Sequence, residues 1–138
     1  MKTQLIGLAA AALFAGTAAA QATTTLTLDF DTGSREGAVM VAVFDNQAAF
    51  DGDGAPVRAV RTAPGQTVRL DGLEPGRYAV KSFHDVNGDG RMGMNPFGIP
   101  TEPFAFSNNA QGHMGPARWD DAAFTVDAAG GAQRLSLK

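Results

Sequence analysis

The 138-residue sequence predicts an all-β fold, an antiparallel seven-stranded β-sandwich with one long ordered loop. Three observations support this fold class. Seven short runs have the periodicity or the apolar content of strands, and residues that favour turns separate them. Only Asn46–Phe50 has a helical pattern, about one turn long. Short strands at regular spacing with turn signals between them are typical of a sandwich.

Four of the strand patterns lie in the first half of the chain. Residues 26–30 alternate apolar and polar side chains, which predicts a half-buried strand. Residues 38–44 are apolar at every position, which predicts a central strand covered on both faces. Two shorter runs, at 57–62 and 66–70, are separated by an Ala-Pro-Gly turn signal.

Three further strands are predicted at 77–84, 122–126 and 133–137. In the first of them, Tyr78 falls on one face and Phe83 on the other, because side chains alternate along a strand. All seven runs are short enough to pair as an antiparallel sandwich.

The segment at 86–121 has little strand pattern and is rich in proline and glycine. A connection of this length is uncommon in a compact domain unless it is functional or disordered. Its apolar content argues against disorder. We therefore expect an ordered excursion that packs these large apolar residues on the sandwich: Phe97, Ile99, Phe104, Phe106 and Trp119.

The N-terminal residues have the pattern of a signal peptide. A basic start, an apolar stretch at 5–14 and small residues up to Ala20 predict that 1–20 is removed, with cleavage after Ala20 or Ala22. The remainder, 21–138, has the length of a single domain. The expected location is periplasmic or secreted, with no membrane span after signal removal.

Composition excludes several classes of function. The chain has no cysteine, which excludes a disulfide framework, a thiolate metal site and a catalytic thiol. The net charge is −3 and basic residues are not clustered, so nucleic acid is not an expected partner. The expected role is non-enzymatic: binding of an unidentified ligand, or an association with an envelope protein.

One loop has the donor spacing of a calcium site. Asp85, Asn87 and Asp89 offer side-chain oxygens at alternate positions, and Gly90 then provides a turn. In a calcium loop that begins at Asp85, the carbonyl of Arg91 falls at the seventh position, where such loops use a backbone oxygen. The sequence therefore predicts a calcium-organised loop over 85–102.

The full EF-hand pattern fails, because Pro96 stands where the bidentate glutamate belongs. A carboxylate from further along must fold back, and Glu102 is the candidate, with Asp120 or Asp121 behind it. A plain turn is an equally good reading, because Asp and Asn side chains bond their own backbone in turns and need no ion to do so.

Two rival functions use other side chains. Met92, Met94 and Met114, with His113 beside the last, suggest a periplasmic copper-binding protein, since thioethers and imidazole suit Cu(I). The usual role of methionine, however, is to fill irregular gaps.

A small periplasmic enzyme would use His84, Asp85, Glu102 and His113 as acid and base groups. Adjacent strand residues point to opposite faces, which argues against a His84–Asp85 pair. Ser107 lacks the flanking glycines of a nucleophile elbow, so the surrounding segment is predicted to be a turn rich in side-chain-to-backbone hydrogen bonds.

Two parts of the sequence resemble known proteins. The string GLEPGRYAV at 72–80 is similar to the start of a strand in transthyretin-like (prealbumin-like) sandwiches, where the tyrosine pins a corner. PGRYAVKSFHDVNGDG at 75–90, FGIPTEPFAFSNNA at 97–110 and GPARWDDAAF at 115–124 resemble secreted bacterial proteins grouped as a domain of unknown function, family twenty-one forty-one. Gly93 stands where that family often has an acidic residue. The resemblance implies an exported sandwich and no particular activity.

Overall fold

A computed structural model describes Gly16 and residues 20–138, and within them it confirms the all-β class. The predicted signal peptide at 1–20 falls almost entirely outside the described residues and stays a prediction. None of the helices in the described part has the length and apolar content needed to cross a bilayer. The described strands are β1 Thr24–Thr32, β2 Ala38–Phe44, β3 Arg58–Thr62, β4 Val68–Leu73, β5 Gly76–Asp85, β6 Phe104–Phe106, β7 Phe124–Val126 and β8 Gly131–Leu137.

The strands form two sheets. The smaller sheet has the order β4-β1-β8, and the larger has the order β3-β2-β5-β6, with β7 pairing to the other end of β5. The described residues also contain three short helical segments, all between strands of the larger sheet: a π-helical turn at Ala49–Asp53, a 3-10 turn at Ser107–Asn109 and α1 at Trp119–Ala122. Side chains from the inner faces of both sheets form the main core, as expected for a sandwich.

Period-two alternation explains how this core forms. Along β1, Leu26, Leu28 and Phe30 are buried while the intervening residues are partly exposed. On β5, Tyr78 and Val80 point inward to the same core. The Tyr78 hydroxyl donates to the Glu74 carbonyl at 2.5 Å, which closes the turn before β5 in the way the resemblance implied. Burial raises the pKa of this hydroxyl.

The structure corrects two details of the predicted sandwich. The described residues contain eight strands rather than seven, because Phe104–Phe106 pairs with β5 inside the segment that has little strand pattern. Three residues are too few to show a period. The sheets are also not wholly antiparallel, since β8 runs parallel to β1 and pairs with it along residues 26–32. A tight turn at 127–130 leads the chain from β7, in the larger sheet, to β8, in the smaller one. The periodicity of a strand does not show in which direction it runs relative to its neighbour.

A second apolar cluster covers one end of the outer face of the larger sheet. The Phe50 ring lies at its centre, 5.7 Å from the Phe44 and Trp119 rings and 6.2 Å from the Phe106 ring, in edge-to-face arrangements. We call these four rings the aromatic cluster. Small residues of α1 and β5, including Ala122 and Ala79, fill the space between them.

The Ser107 side chain bonds to β5 where the backbone pairing along one edge of that strand is interrupted. The edge of β5 pairs with β7 at residues 76–78 and with β6 at residues 81–83, which leaves Val80 between the two partners. The Val80 amide donates to Ser107 Oγ at 2.8 Å, and that hydroxyl donates to the Ala122 carbonyl at 2.6 Å. The 3-10 turn is thus rich in side-chain-to-backbone bonds, as predicted.

Replacing Ser107 with alanine should cost about 2–4 kcal/mol of unfolding free energy, because it leaves two buried backbone groups without partners. Urea denaturation of S107A measures this. The matched control is S136A, since Ser136 is exposed on β8 and its hydroxyl makes no protein hydrogen bond. Equal unfolding free energies for the two variants would contradict the bridging role.

Candidate functional site: an apolar groove beside the Asp85 loop

The outward residues of β5 divide the outer face of the larger sheet into zones. Ala79 lies under the aromatic cluster, Lys81 and Phe83 follow, and Asp85 ends the strand. The first and last of these positions are buried, whereas Lys81 and Phe83 are half-buried. The middle of the sheet face is therefore open while both of its ends are covered.

This open middle is the floor of a groove of about 1270 Å³. Pairing registers place its residues in two rows across the strands. Ligand pockets in proteins usually occupy roughly 300–1,000 Å³, so the groove is large enough for a small molecule. The two rows of the floor are Ala59, Ala42, Lys81 and Phe106, and then Arg61, Met40, Phe83 and Phe104.

The long excursion forms the walls of the groove. One wall is a small hairpin at 93–101, which we call the flap, and Met92 precedes it. The other wall is the segment 114–116. In the described part of the chain all four methionines, Met40, Met92, Met94 and Met114, line this one groove.

Large apolar side chains of the excursion remain in contact with solvent. Phe97 at the tip of the flap is 88% exposed, and Ile99, Met94 and Phe104 are 58%, 57% and 47% exposed. The sequence predicted that the excursion packs its aromatics on the sandwich. Phe106 and Trp119 are buried in this way, whereas Phe97 and Ile99 are largely exposed. Phe104 is also exposed, although its ring packs edge-to-face on Phe106 with the ring centres 6.0 Å apart.

The flap is held together by backbone bonds and one side chain. The Asn95 amide donates to the Ile99 carbonyl at 2.9 Å, and the Thr101 amide donates to the Gly93 carbonyl at 2.8 Å. Asn95 Oδ1 accepts from the amides of Phe97 and Ile99 at 2.9 and 3.0 Å. The tip is therefore ordered although its largest side chain lies in water.

Glu102 fixes the base of the flap. Its two carboxylate oxygens accept from the backbone amides of Val86, at 3.2 Å, and Gly93, at 3.0 Å. A Cβ on Gly93 would lie 2.5 Å from Thr101 Oγ1, so a larger residue here would force the Thr101 side chain to move.

The predicted calcium ligands form a tight loop between β5 and the flap. Asp85 Oδ2 accepts from the Gly90 amide at 2.8 Å. Asn87 Oδ1 accepts from the Asp89 amide at 3.3 Å, and Asp89 Oδ1 accepts from the Arg91 amide at 2.9 Å. These bonds belong to a hydrogen-bonded turn, and they also gather oxygens on one short stretch of chain.

Asp85 is the unusual member of this loop. Its side chain is fully buried, and Oδ1 has no hydrogen-bond partner among the residues that the structure describes. Gly37 packs directly on the backbone of Asp85 and Val86, where a Cβ would overlap their carbonyl oxygens. A buried carboxylate oxygen without a partner is costly unless it is protonated or bound to a cation.

The described residues contain no group of three or more His, Cys, Asp or Glu side chains placed to hold one metal ion. A cation beside Asp85 would therefore use at most two carboxylates. Neutral oxygens, such as those of Asn87 and the Arg91 carbonyl, would have to supply further donors.

Lys81 supplies a cation at the covered end of the groove. Its Nζ lies 4.4 Å from the centre of the Phe50 ring and 5.3 Å from that of Phe44, and it donates to the Phe50 carbonyl. Burial lowers the pKa of Lys81, with Asp51 acting in the opposite direction. The ammonium is thus partly desolvated.

The remaining predicted site residues do not share one position. His84 points to the opposite face from Asp85, is buried, and has its Nε2 2.6 Å from the Glu36 carbonyl. His113 is exposed and does not line the groove, although Met114 next to it does. The groove lining contains no His, Asp or Glu within the described residues.

Sequence reasoning missed the floor of the groove. The run at 38–44 predicted a strand covered on both faces, yet Met40 and Ala42 are only half-buried. The available signal was an all-apolar strand together with an excursion rich in methionine and phenylalanine. The excursion was expected to cover one face of this strand, but periodicity does not reveal how completely it does so.

Comparison with known proteins gives one family. The model of the family described as "Uncharacterized protein conserved in bacteria (DUF2141)" matches residues 31–134. No curated protein and no solved structure matches the chain.

Proposed function

The chain belongs to the DUF2141 family of bacterial proteins, and because the family description names no activity, we propose from the groove that it is a non-enzymatic binding protein for an apolar small molecule. The single observation that supports this is the open apolar face on the larger sheet. We further propose that it acts in the periplasm or outside the cell, as the predicted signal peptide suggests.

The physical argument concerns water. Each exposed apolar group on the floor and the flap orders solvent, and covering apolar surface contributes about 25 cal/mol per Å². Contiguous apolar patches of this kind on a soluble protein generally mark a binding site. Phe97, Ile99 and Met94 stand beside the floor on an ordered flap, so an apolar ligand would cover both surfaces at once.

A neutral fluorescent probe such as N-phenylnaphthylamine should bind the wild-type protein with enhanced fluorescence. The variant M40D should weaken binding about ten-fold or more, because it places a charge on the apolar floor. Titration of the probe measures both affinities, and circular dichroism checks that the variant is folded.

The matched control for this prediction is A132D, since Ala132 is exposed on β8 in the smaller sheet, away from the groove. A wild-type protein that leaves the probe fluorescence unchanged, or an M40D protein that binds as tightly as A132D, would contradict the proposed function.

Calcium binding by loop 85–102 is proposed as a structural part of this function. The support is the buried Asp85 oxygen without a partner, with Asp89, Asn87, the Arg91 carbonyl and Glu102 nearby in sequence. With at most two carboxylates, the affinity should lie in the weak range of extracellular modules, about 0.1–1 mM. A bound ion would stabilise the loop from which the flap departs.

Calcium at about ten times its dissociation constant should raise the melting midpoint by roughly 3–6 °C relative to chelator. Magnesium should raise it less, because it holds its own waters. D85N should lose the shift, while the control E74Q, whose exposed side chain makes no protein hydrogen bond, should keep it. An unmoved midpoint would leave a plain hydrogen-bonded turn, and a shift that survives D85N would assign other ligands.

The methionines of the groove favour a second candidate function, binding of Cu(I). Met92, Met94 and Met114 line the same groove as Met40, and thioethers are soft ligands suited to that ion. His113 does not line it, so the site would depend on sulfur.

Native mass spectrometry with Cu(I) tests this candidate. A triple variant with leucine at 92, 94 and 114 should lose the copper adduct yet still bind the neutral probe, because leucine keeps the groove apolar. Absence of a wild-type adduct, or an adduct that persists in the triple variant, would rule out the methionine site.

A further inference from the structure

The charges of the groove have one sign. Among the described residues its lining contains two basic side chains, Arg61 and Lys81, and no acidic one, although the chain as a whole carries a net charge of −3. Neither cation has a carboxylate within 4.0 Å among the described residues. The charged side chains that line this otherwise apolar groove are therefore both basic, while the carboxylate of Asp51, outside the lining, also acts on Lys81.

Lys81 is the cation that a bound molecule would meet beside the apolar floor. Its ammonium has three N–H donors, and the Phe50 carbonyl accepts one of them. Because Lys81 is half-buried, its charged form is not fully solvated, and this burial lowers its pKa. An anion placed at Lys81 would supply the missing partner, and hydrogen bonds between charged groups are about twice as strong as neutral ones.

The floor next to Lys81 is apolar. Phe83 lies two residues further along β5, about 7 Å away, with Met40 and Phe104 as its cross-strand neighbours. Beyond them the flap contributes Met94 and Ile99 to the lining. The groove therefore has a cation at the end next to the aromatic cluster and apolar side chains from there to the flap.

Arg61 lies on β3, two strands across from Lys81 and in the neighbouring row of the floor, so their backbone positions are roughly 12 Å apart in the plane of the sheet. A single head group that contacts the Lys81 ammonium would meet one positive charge. One ammonium balances a carboxylate, whereas a phosphate monoester carries about −1.5 to −2 charges at neutral pH.

We infer that the ligand is a single-chain carboxylate amphiphile, of the fatty-acid type, with its carboxylate at Lys81 and its chain on the floor formed by Met40, Phe83 and Phe104. This inference rests on the proposed function, because it requires that the groove binds apolar molecules. It goes further by naming the head group, its position and the direction in which the chain lies.

Competition against the neutral probe tests the inference with two ligands of equal chain length, dodecanoate and dodecanol, below their aggregation concentrations. The wild-type protein should bind dodecanoate about ten-fold or more tightly than dodecanol. K81M should bind both ligands with the affinity that the wild type has for dodecanol. K81R should keep the preference for the carboxylate, and the control R77M, altered on the same strand but outside the groove, should behave as the wild type.

Equal wild-type affinities for the two ligands would overturn the inference while the proposed function stands. This comparison needs no variant, so it decides the matter even if K81M fails to fold. A preference that persists in folded K81M would also overturn the inference, because the carboxylate would then lie elsewhere. If neither ligand displaces the probe and the probe itself does not bind, the proposed function fails as well.

Discussion

The alternation of side chains along β5 is the constraint on which the rest of the structure depends. This ten-residue strand buries Tyr78 and Val80 in the core and sends every second residue to the outer face. Along that outer face, β5 contributes first to the aromatic cluster, then to the open groove and finally to the Asp85 loop. A shift of one residue in the pairing of β5 would exchange the two faces, so core and groove are specified together. Ser107 keeps that register continuous where the edge partner changes.

The parts of the fold that follow from periodicity could be predicted from the sequence. The sandwich and its principal strands are predictable because alternation and turn residues report them directly, whereas the tyrosine-closed turn is implied by the resemblance of residues 72–80 to transthyretin-like sandwiches. Strand β6 and the parallel direction of β8 could not be, since the first is three residues long and the second depends on a crossover between sheets. The groove was missed for a related reason. Residues 38–44 show that both faces of β2 are apolar, not that one of them is left partly uncovered.

The carboxylates of Asp85 and Glu102 have different environments, although both are candidate ligands of the proposed cation site. Both oxygens of Glu102 accept backbone amides, so this side chain is already bonded without any ion and acts as a brace. Asp85 has one oxygen bonded to the Gly90 amide and one buried without a partner. Spacing along the chain made both residues candidates for one cation site. Only three-dimensional geometry distinguishes a satisfied carboxylate from one that still lacks a partner.

The hydrogen bonds of Glu102 link the end of β5 to the flap that forms one wall of the groove. Glu102 joins Val86, directly after β5, to Gly93, where the flap begins, so the Asp85 loop lies inside a closed circuit of backbone and side-chain bonds. Loop geometry therefore sets the position of the flap over Phe83 and Met40. The tip carries Phe97 into water, and Asn95 Oδ1 holds the turn of the tip together by accepting from the Phe97 amide. An apolar wall that is held open, rather than folded onto the apolar face beside it, is the arrangement expected where the covering surface is supplied by a ligand.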